Sequence, residues 1–208
     1  PAMPPALPTP SPTGTVTFLF TDIEGSTPLW DAHPDAMRAA LARHDEILRS
    51  AVSDAGGQVF STAGDGYGIV FARVSDAVEA ALEAQRRLGA EVWPEPLALR
   101  VRMGAHTGEA EERSGDYFGP AVNQAARLMG AAHGGQVVVS GLTAGLLPSG
   151  SGVDLVDLGA TRLKGIAEPM PVFGVAGPGV EWLDLPLISG QASAGNLPRP
   201  TSEFVGDL

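Results

Sequence analysis

Cysteine is absent from the 208-residue sequence, and lysine occurs once, at Lys164. The first absence excludes disulfide frameworks, thiolate catalysis and cysteine-ligated zinc. The second excludes any mechanism that needs two lysines. No uninterrupted apolar run of about 18 residues occurs, and no basic stretch precedes an apolar one at the amino terminus, so neither a membrane span nor a signal peptide is visible. A cytoplasmic protein is the expectation. Basic residues are scarce as well: 13 Lys+Arg face 24 Asp+Glu, a net charge of −11. Such a surface gains nothing from counterion release on a polyanion, so no direct binding to nucleic acid or an anionic membrane is expected. A phosphate ligand must bring its own cations.

What is present suffices for one sizeable core, at 44% hydrophobic residues over this length. Residues 1–14 are proline-rich and uncharged and read as a disordered leader. Residues 179–208 lack sustained periodicity and read as a linker toward a missing downstream domain. Between them, 15–178 forms one domain without internal repeats. Thr15–Thr21 (TVTFLFT) has the pattern of a buried strand. Pro28 suits a helix first turn, and Met37, Leu41, Ile47, Leu48 and Val52 recur at helical spacing. Val59–Thr62 and Tyr67–Phe71 predict a hairpin around Ala63-Gly64-Asp65-Gly66. A helix from Ser75 to Leu88, a strand over 97–107, a helix from Gly119-Pro120 to about Ala132, a strand over 136–140 and a last pair at 153–158 and 172–175 follow. This order predicts an α+β sandwich, a mixed, mainly antiparallel sheet covered by helices.

Asp22 ends the first strand and Asp65 occupies a glycine-rich turn. If the two converge, they offer hard oxygen ligands to Mg²⁺ or Mn²⁺, which use few carboxylates and complete their shell with water and substrate phosphate. Ile23–Thr27 would present unpaired N–H groups to phosphate oxygens. Taken alone, each aspartate is equally well a cap or ordinary turn chemistry. A third segment changes that balance, because Asn123 and Arg127 stand at i and i+4 on one helix face, an amide beside a guanidinium.

Together, FTDIEGST at 20–27, AGDGYG at 63–68 and DYFGPAVNQAAR at 116–127 resemble the class III nucleotidyl cyclase catalytic domain, over about residues 14–175. The resemblance implies the ferredoxin-like sandwich of that family. It also implies two Mg²⁺ or Mn²⁺ ions per site, held by Asp22, Asp65 and the backbone carbonyl of Ile23. Glu24, Gly25, Ser26 and Thr27 then hold triphosphate, Asn123 orients the ribose, and Arg127 stabilises charge at the α-phosphate. Family members place the aspartates and the Asn–Arg pair on opposite subunits, so a homodimer with two composite sites is implied.

Base recognition departs from the pattern. Adenylate cyclases of the family typically pair a lysine with an aspartate or threonine; the matching positions are Ser61 and Asp116. Asp116 can accept from the adenine amino group, whereas the Ser61 hydroxyl is several bonds shorter than lysine. Guanylate cyclases use glutamate and cysteine there, and neither is present. ATP is therefore the expected substrate, with GTP the alternative. The family's triphosphate lysine falls in register with Ile166, two residues beyond Lys164. His106, in an alternating strand, reads as a packed or hydrogen-bonded residue. Residues 196–208 resemble the lead-in to the NTPase domain of large bacterial regulators, which implies downstream ATPase or regulatory domains. Two readings stand: an active adenylate cyclase, or a weakly catalytic cyclase-homology module that binds nucleotide or dimerises to regulate attached domains.

Overall fold

The computed structural model describes residues 11–188. The expected leader over 1–10 and the sequence beyond 188, including the NTPase-like lead-in, lie outside them.

Strand β1 (Gly14–Ile23) pairs antiparallel with both β3 (Gly66–Phe71) and β4 (Val101–Arg113). Its unbroken burial over 16–21 follows from that central place, since both faces are covered. Phe18 and Phe20 pack on one side, Leu19 and Ile23 on the other. The remaining strands are β2 (Gln58–Ala63), β5 (Asp116–Phe118), β6 (Val137–Ser140), β7 (Asp154–Thr161) and β8 (Met170–Ala176). The sheet order is β2-β3-β1-β4-β6-β8-β7, with β5 paired to β4. Only β4 and β6 run parallel.

Helices α1 (Ser26–Ala32), α2 (Pro34–Asp54) and α3 (Val74–Ala90) follow β1 and β3. α2 and α3 bury Met37, Ile47, Leu48, Val78 and Leu88 against Leu19, Ile69, Phe71 and Met103. α4 (Pro120–Ala131) covers the opposite face, where Ala121, Ala125 and Met129 meet Val16, Phe18, Phe20 and Tyr117. Such a mixed, mostly antiparallel sheet with helices is the expected α+β architecture. Among the described residues no helix is long and apolar enough to cross a membrane.

Several boundaries differ from the sequence expectation. The strand expected from 97 enters the sheet only at Val101; Leu97 and Leu99 are buried alternately by a segment that makes no ladder. It then runs on to Arg113, paired with β5, through a charged stretch over 108–113 that alternates in exposure and has no large apolar residue. A short helix, α5 (Gly141–Leu146), follows β6; Ser140 caps it by accepting from the Thr143 N–H.

Both ends of the domain also reach further than its sequence boundaries. The Pro12 carbonyl accepts from the Tyr117 hydroxyl at 2.6 Å, so part of the expected leader touches the core. At the other end residues 179–188, expected as linker, lie against the domain. Gln136 Nε2 donates to the carbonyls of Leu183 and Leu185 at 2.9 and 3.0 Å, and the Ile188 N–H donates to the Ala131 carbonyl at 2.8 Å. On the terminal segments these hydrogen bonds are made by backbone carbonyls and an N–H, which side-chain patterning does not record.

Candidate active site

The end of β1 and the β2–β3 turn meet because β1 and β3 are register partners up to Thr21 and Tyr67. Gly64 takes φ +60°, and a side chain at Gly66 would stand 3.2 Å from the Thr21 carbonyl and 3.7 Å from Asp22 Oδ1. The turn can thus lie directly on the strand end. Asp65 Oδ2 accepts from the Ile23 N–H at 3.1 Å, and Oδ1 from the Ser26 hydroxyl at 3.2 Å. The structure therefore brings Asp22 and Asp65 into one electrostatic neighbourhood.

Arg102, opposite Asp22 in the β1–β4 ladder, donates from Nε at 3.0 Å and from Nη2 at 2.5 Å to Asp22 Oδ2. Burial pushes the Asp22 carboxyl above the usual carboxylate range; the Arg102 contact pulls against that, and the nearby Asp65 charge adds to it. Sequence reasoning missed Arg102. Its signal was present: an arginine in phase with the α4-side residues of a strand whose other face is apolar. Two carboxylates in reach of each other, one desolvated, fit a divalent cation that draws its remaining ligands from water and phosphate. Among the described residues no third carboxylate or histidine completes a cage.

The following loop is partly committed within the chain. Gly25 takes φ +66° at the start of α1, leaving the N–H groups of Ser26 and Thr27 without carbonyl partners in the helix. The Glu24 side chain is turned elsewhere: its Oε1 lies 3.1 Å from His133 Nδ1.

On α4, the residues facing the sheet are Ala121, Ala125, Leu128 and Met129, which leaves Asn123 exposed and Arg127 half-buried on other faces. Arg127 lies beside the Lys164 loop; a Cβ on Gly165 would stand 3.9 Å from its Nε and Nη2. Among the described residues the side chains of Asn123, Arg127, Lys164 and Ser61 make no hydrogen bond or ion pair. No such bond links the Asn–Arg face to the two aspartates either. Ser61 and Asp116 flank rings that meet: Phe60 and Tyr117 pack edge to face at 5.1 Å, joining β2 to β5. Asp116 Oδ1 accepts from the Tyr117 N–H at 2.8 Å.

His106 proves to be packed, at 6% exposure, with Nδ1 2.7 Å from Ser140 Oγ. Ser140 continues through Thr143 and Thr107 to Thr17, a chain of buried hydroxyls across β6, α5, β4 and β1. Burial lowers the imidazole from 6.5 to about 4. As pH falls from 6.5, the unfolded chain takes up the proton first, so this site's contribution is full above 6.5 and lost on the way to about 4. That gap corresponds to roughly 3 kcal/mol. Urea unfolding between pH 7 and 4.5 should show a shallower acid loss in His106→Gln than in the parent chain; equal slopes would contradict the assignment.

With this geometry in place, comparison with known proteins is informative. Residues 9–176 match the adenylate and guanylate cyclase catalytic domain, and the chain belongs to that family. An uncharacterised protein of Mycobacterium tuberculosis is 39% identical over 200 residues, spanning 94% of this chain and 68% of that protein. The adenylate cyclase of Lachancea kluyveri is 38% identical over 154 residues, which cover 62% of this chain and 8% of that much longer protein. Among solved structures, an adenylate cyclase from Trypanosoma brucei in its monomeric state superposes with a TM-score of 0.78 at 30% identity, covering 88% of this chain and 98% of that one.

Proposed function

We propose that this chain is an adenylate cyclase that converts ATP to 3′,5′-cyclic AMP and pyrophosphate at a site shared by two copies. The observation that carries this reading is the division of the site: Asp22 and Asp65 together at the end of β1, and a separate α4 face whose Asn123 and Arg127 side chains find no hydrogen-bond or ion-pair partner among the described residues. A second copy is the natural source of the missing half, and isologous contact would make two such sites. The cytoplasm, where ATP is available, is the compartment this reading implies.

In the reaction the ribose 3′-hydroxyl gives its proton to solvent water and its oxygen bonds to the α-phosphorus, while the bond from that phosphorus to the bridging oxygen breaks and pyrophosphate leaves. Two Mg²⁺ or Mn²⁺ ions held by Asp22, Asp65 and the Ile23 carbonyl would supply Lewis acidity at the attacking and leaving oxygens. Arg127 offsets charge at the transferring phosphoryl group, Asn123 fixes the ribose, and the Ser26 and Thr27 N–H groups receive phosphate oxygens. Lys164, in the loop whose Gly165 adjoins Arg127, would add charge at the triphosphate. Asp116 accepts from the adenine amino group and Ser61 donates to the ring, directly or through water.

Mixing an Asp22→Ala chain with an Arg127→Ala chain tests the shared site. Each is inactive alone; random exchange makes half the dimers mixed, each with one intact site, so activity should return to about one quarter of the parent level. No recovery despite demonstrated chain exchange would overturn it. The short Ser61 hydroxyl favours the second reading, a nucleotide-binding module with little turnover. Saturable ATP binding with Mn²⁺ but no cyclic product would establish that instead.

A further inference from the structure

A carboxylate in a loop that receives triphosphate has the wrong sign for its surroundings, so the destination of the Glu24 side chain matters. Its Oε1 lies 3.1 Å from Nδ1 of His133, and the other ring nitrogen, Nε2, lies 3.1 Å from the Pro186 carbonyl. Both partners are acceptors, so the ring serves both contacts fully only when each nitrogen carries a proton. Glu24 Oε2 stands 3.0 Å from where a Cβ on Gly134 would be, so the glycine leaves room for it. The Glu24 N–H donates to the Arg100 carbonyl at 2.9 Å, which fixes the backbone while the side chain reaches away.

The carbonyl on the far side of His133 belongs to the strap over 179–188. Trp182 seats the strap on Gly174, where a side chain would meet the indole ring at 2.5 Å. Gln136 holds two of its carbonyls, and its Oε1 accepts from the His133 N–H at 2.8 Å. At its end the Ile188 N–H bonds the carbonyl of Ala131, the last residue of α4.

We propose that His133 is a positioning residue for the nucleotide site: it draws the Glu24 carboxylate aside and ties the phosphate loop to the strap, so that the strap's seating sets the loop's geometry. This rests on the cyclase reading above. The Glu24–His133 pair is part-exposed, at 38% and 29%, so its effect is on placement rather than on stability.

The test uses the 208-residue chain with substitutions His133→Ala, Glu24→Gln and Trp182→Ala, the last remote from Glu24 in sequence and placed where the strap packs on Gly174. His133→Ala is expected to raise the apparent KM for ATP about two- to fivefold with kcat within twofold, the range expected of a part-exposed pair. His133→Ala combined with Glu24→Gln should be no worse than either alone, and Trp182→Ala should reproduce the KM rise. Hydrogen exchange supplies a readout independent of turnover: His133→Ala should speed exchange at both Glu24 and Ile188. Unchanged exchange at Glu24, or strictly additive effects of the two substitutions on KM, overturns the proposal. A KM rise in His133→Ala that Trp182→Ala does not share removes the strap from it. A parent chain that makes no cyclic product fails the cyclase reading, while exchange at Glu24 still decides the tether.

Discussion

Asp65→Asn is expected to lower cyclic AMP formation by about three orders of magnitude while leaving the domain folded. Asparagine keeps the shape of the side chain and can still accept from the Ile23 N–H, a contact made at 3.1 Å by the aspartate. What it removes is the negative charge. Metal-assisted displacement owes several kcal/mol to the ions that neutralise the reacting oxygens, and about 4 kcal/mol is a thousandfold in rate. Alanine would be a poorer probe, because it also frees the Ser26 hydroxyl and the loop behind it. The measurement is product formation with Mn²⁺ and ATP, with thermal unfolding as the control. Retention of a tenth or more of the parent activity would remove Asp65 from the metal site.

The largest stability effect is expected at Gly104→Ala, where β4 lies directly under α4. A Cβ there would stand 2.0 Å from the Met129 nitrogen and 2.6 Å from its Cα, with the Leu128 carbonyl carbon at 2.7 Å. All three are backbone atoms of α4, so no side-chain rotation relieves the clash; the helix has to lift from β4. Overpacking of this kind costs about 3 kcal/mol or more, or roughly 6–12 °C in Tm for a domain of this size. Because α4 also carries Asn123 and Arg127, the surviving folded protein should lose activity as well. Gly108→Ala is the internal control: its nearest neighbour would be the Ala121 methyl at 2.9 Å, and a helix shift of tenths of an ångström suffices. Equal stability of the two variants would refute this account of the β4–α4 contact.

Much of this architecture was legible in the sequence wherever a helix or strand buries a regular set of side chains. β1 is buried without a break over 16–21, with Val16, Phe18, Leu19 and Phe20 inside, because it is covered on both faces, and α2 and α3 show helical spacing because one face of each meets the sheet. Legibility failed where other forces set the structure. α5 has six residues, two of them glycine, too few for a period. β4 extends past Gly108 as a ribbon that alternates without burying much, and the strap is held largely through backbone carbonyls that any residue could supply. At the site, the motifs named the two aspartates and the Asn–Arg pair, but neither Arg102 nor His133. Each makes its contact across a long stretch of chain, 80 residues in one case and 109 in the other, and in neither does local spacing advertise the partner.

The Arg102–Asp22 contact has a consequence for selectivity. An uncompensated pair of carboxylates would be a general trap for any hard cation. Here Asp22 already shares its charge with a guanidinium, and its Oδ2 is taken by two N–H groups. A cation arriving alone must compete with that arginine for one oxygen and gains less than full charge. One that arrives with a polyanion does better, because the anion can claim the guanidinium as the cation claims the carboxylate. The two ligands then lower each other's cost of entry, by equal amounts in either order. On the proposed reading, selection for the complex of metal and nucleotide over free metal would rest on a single ion pair between two neighbouring strands.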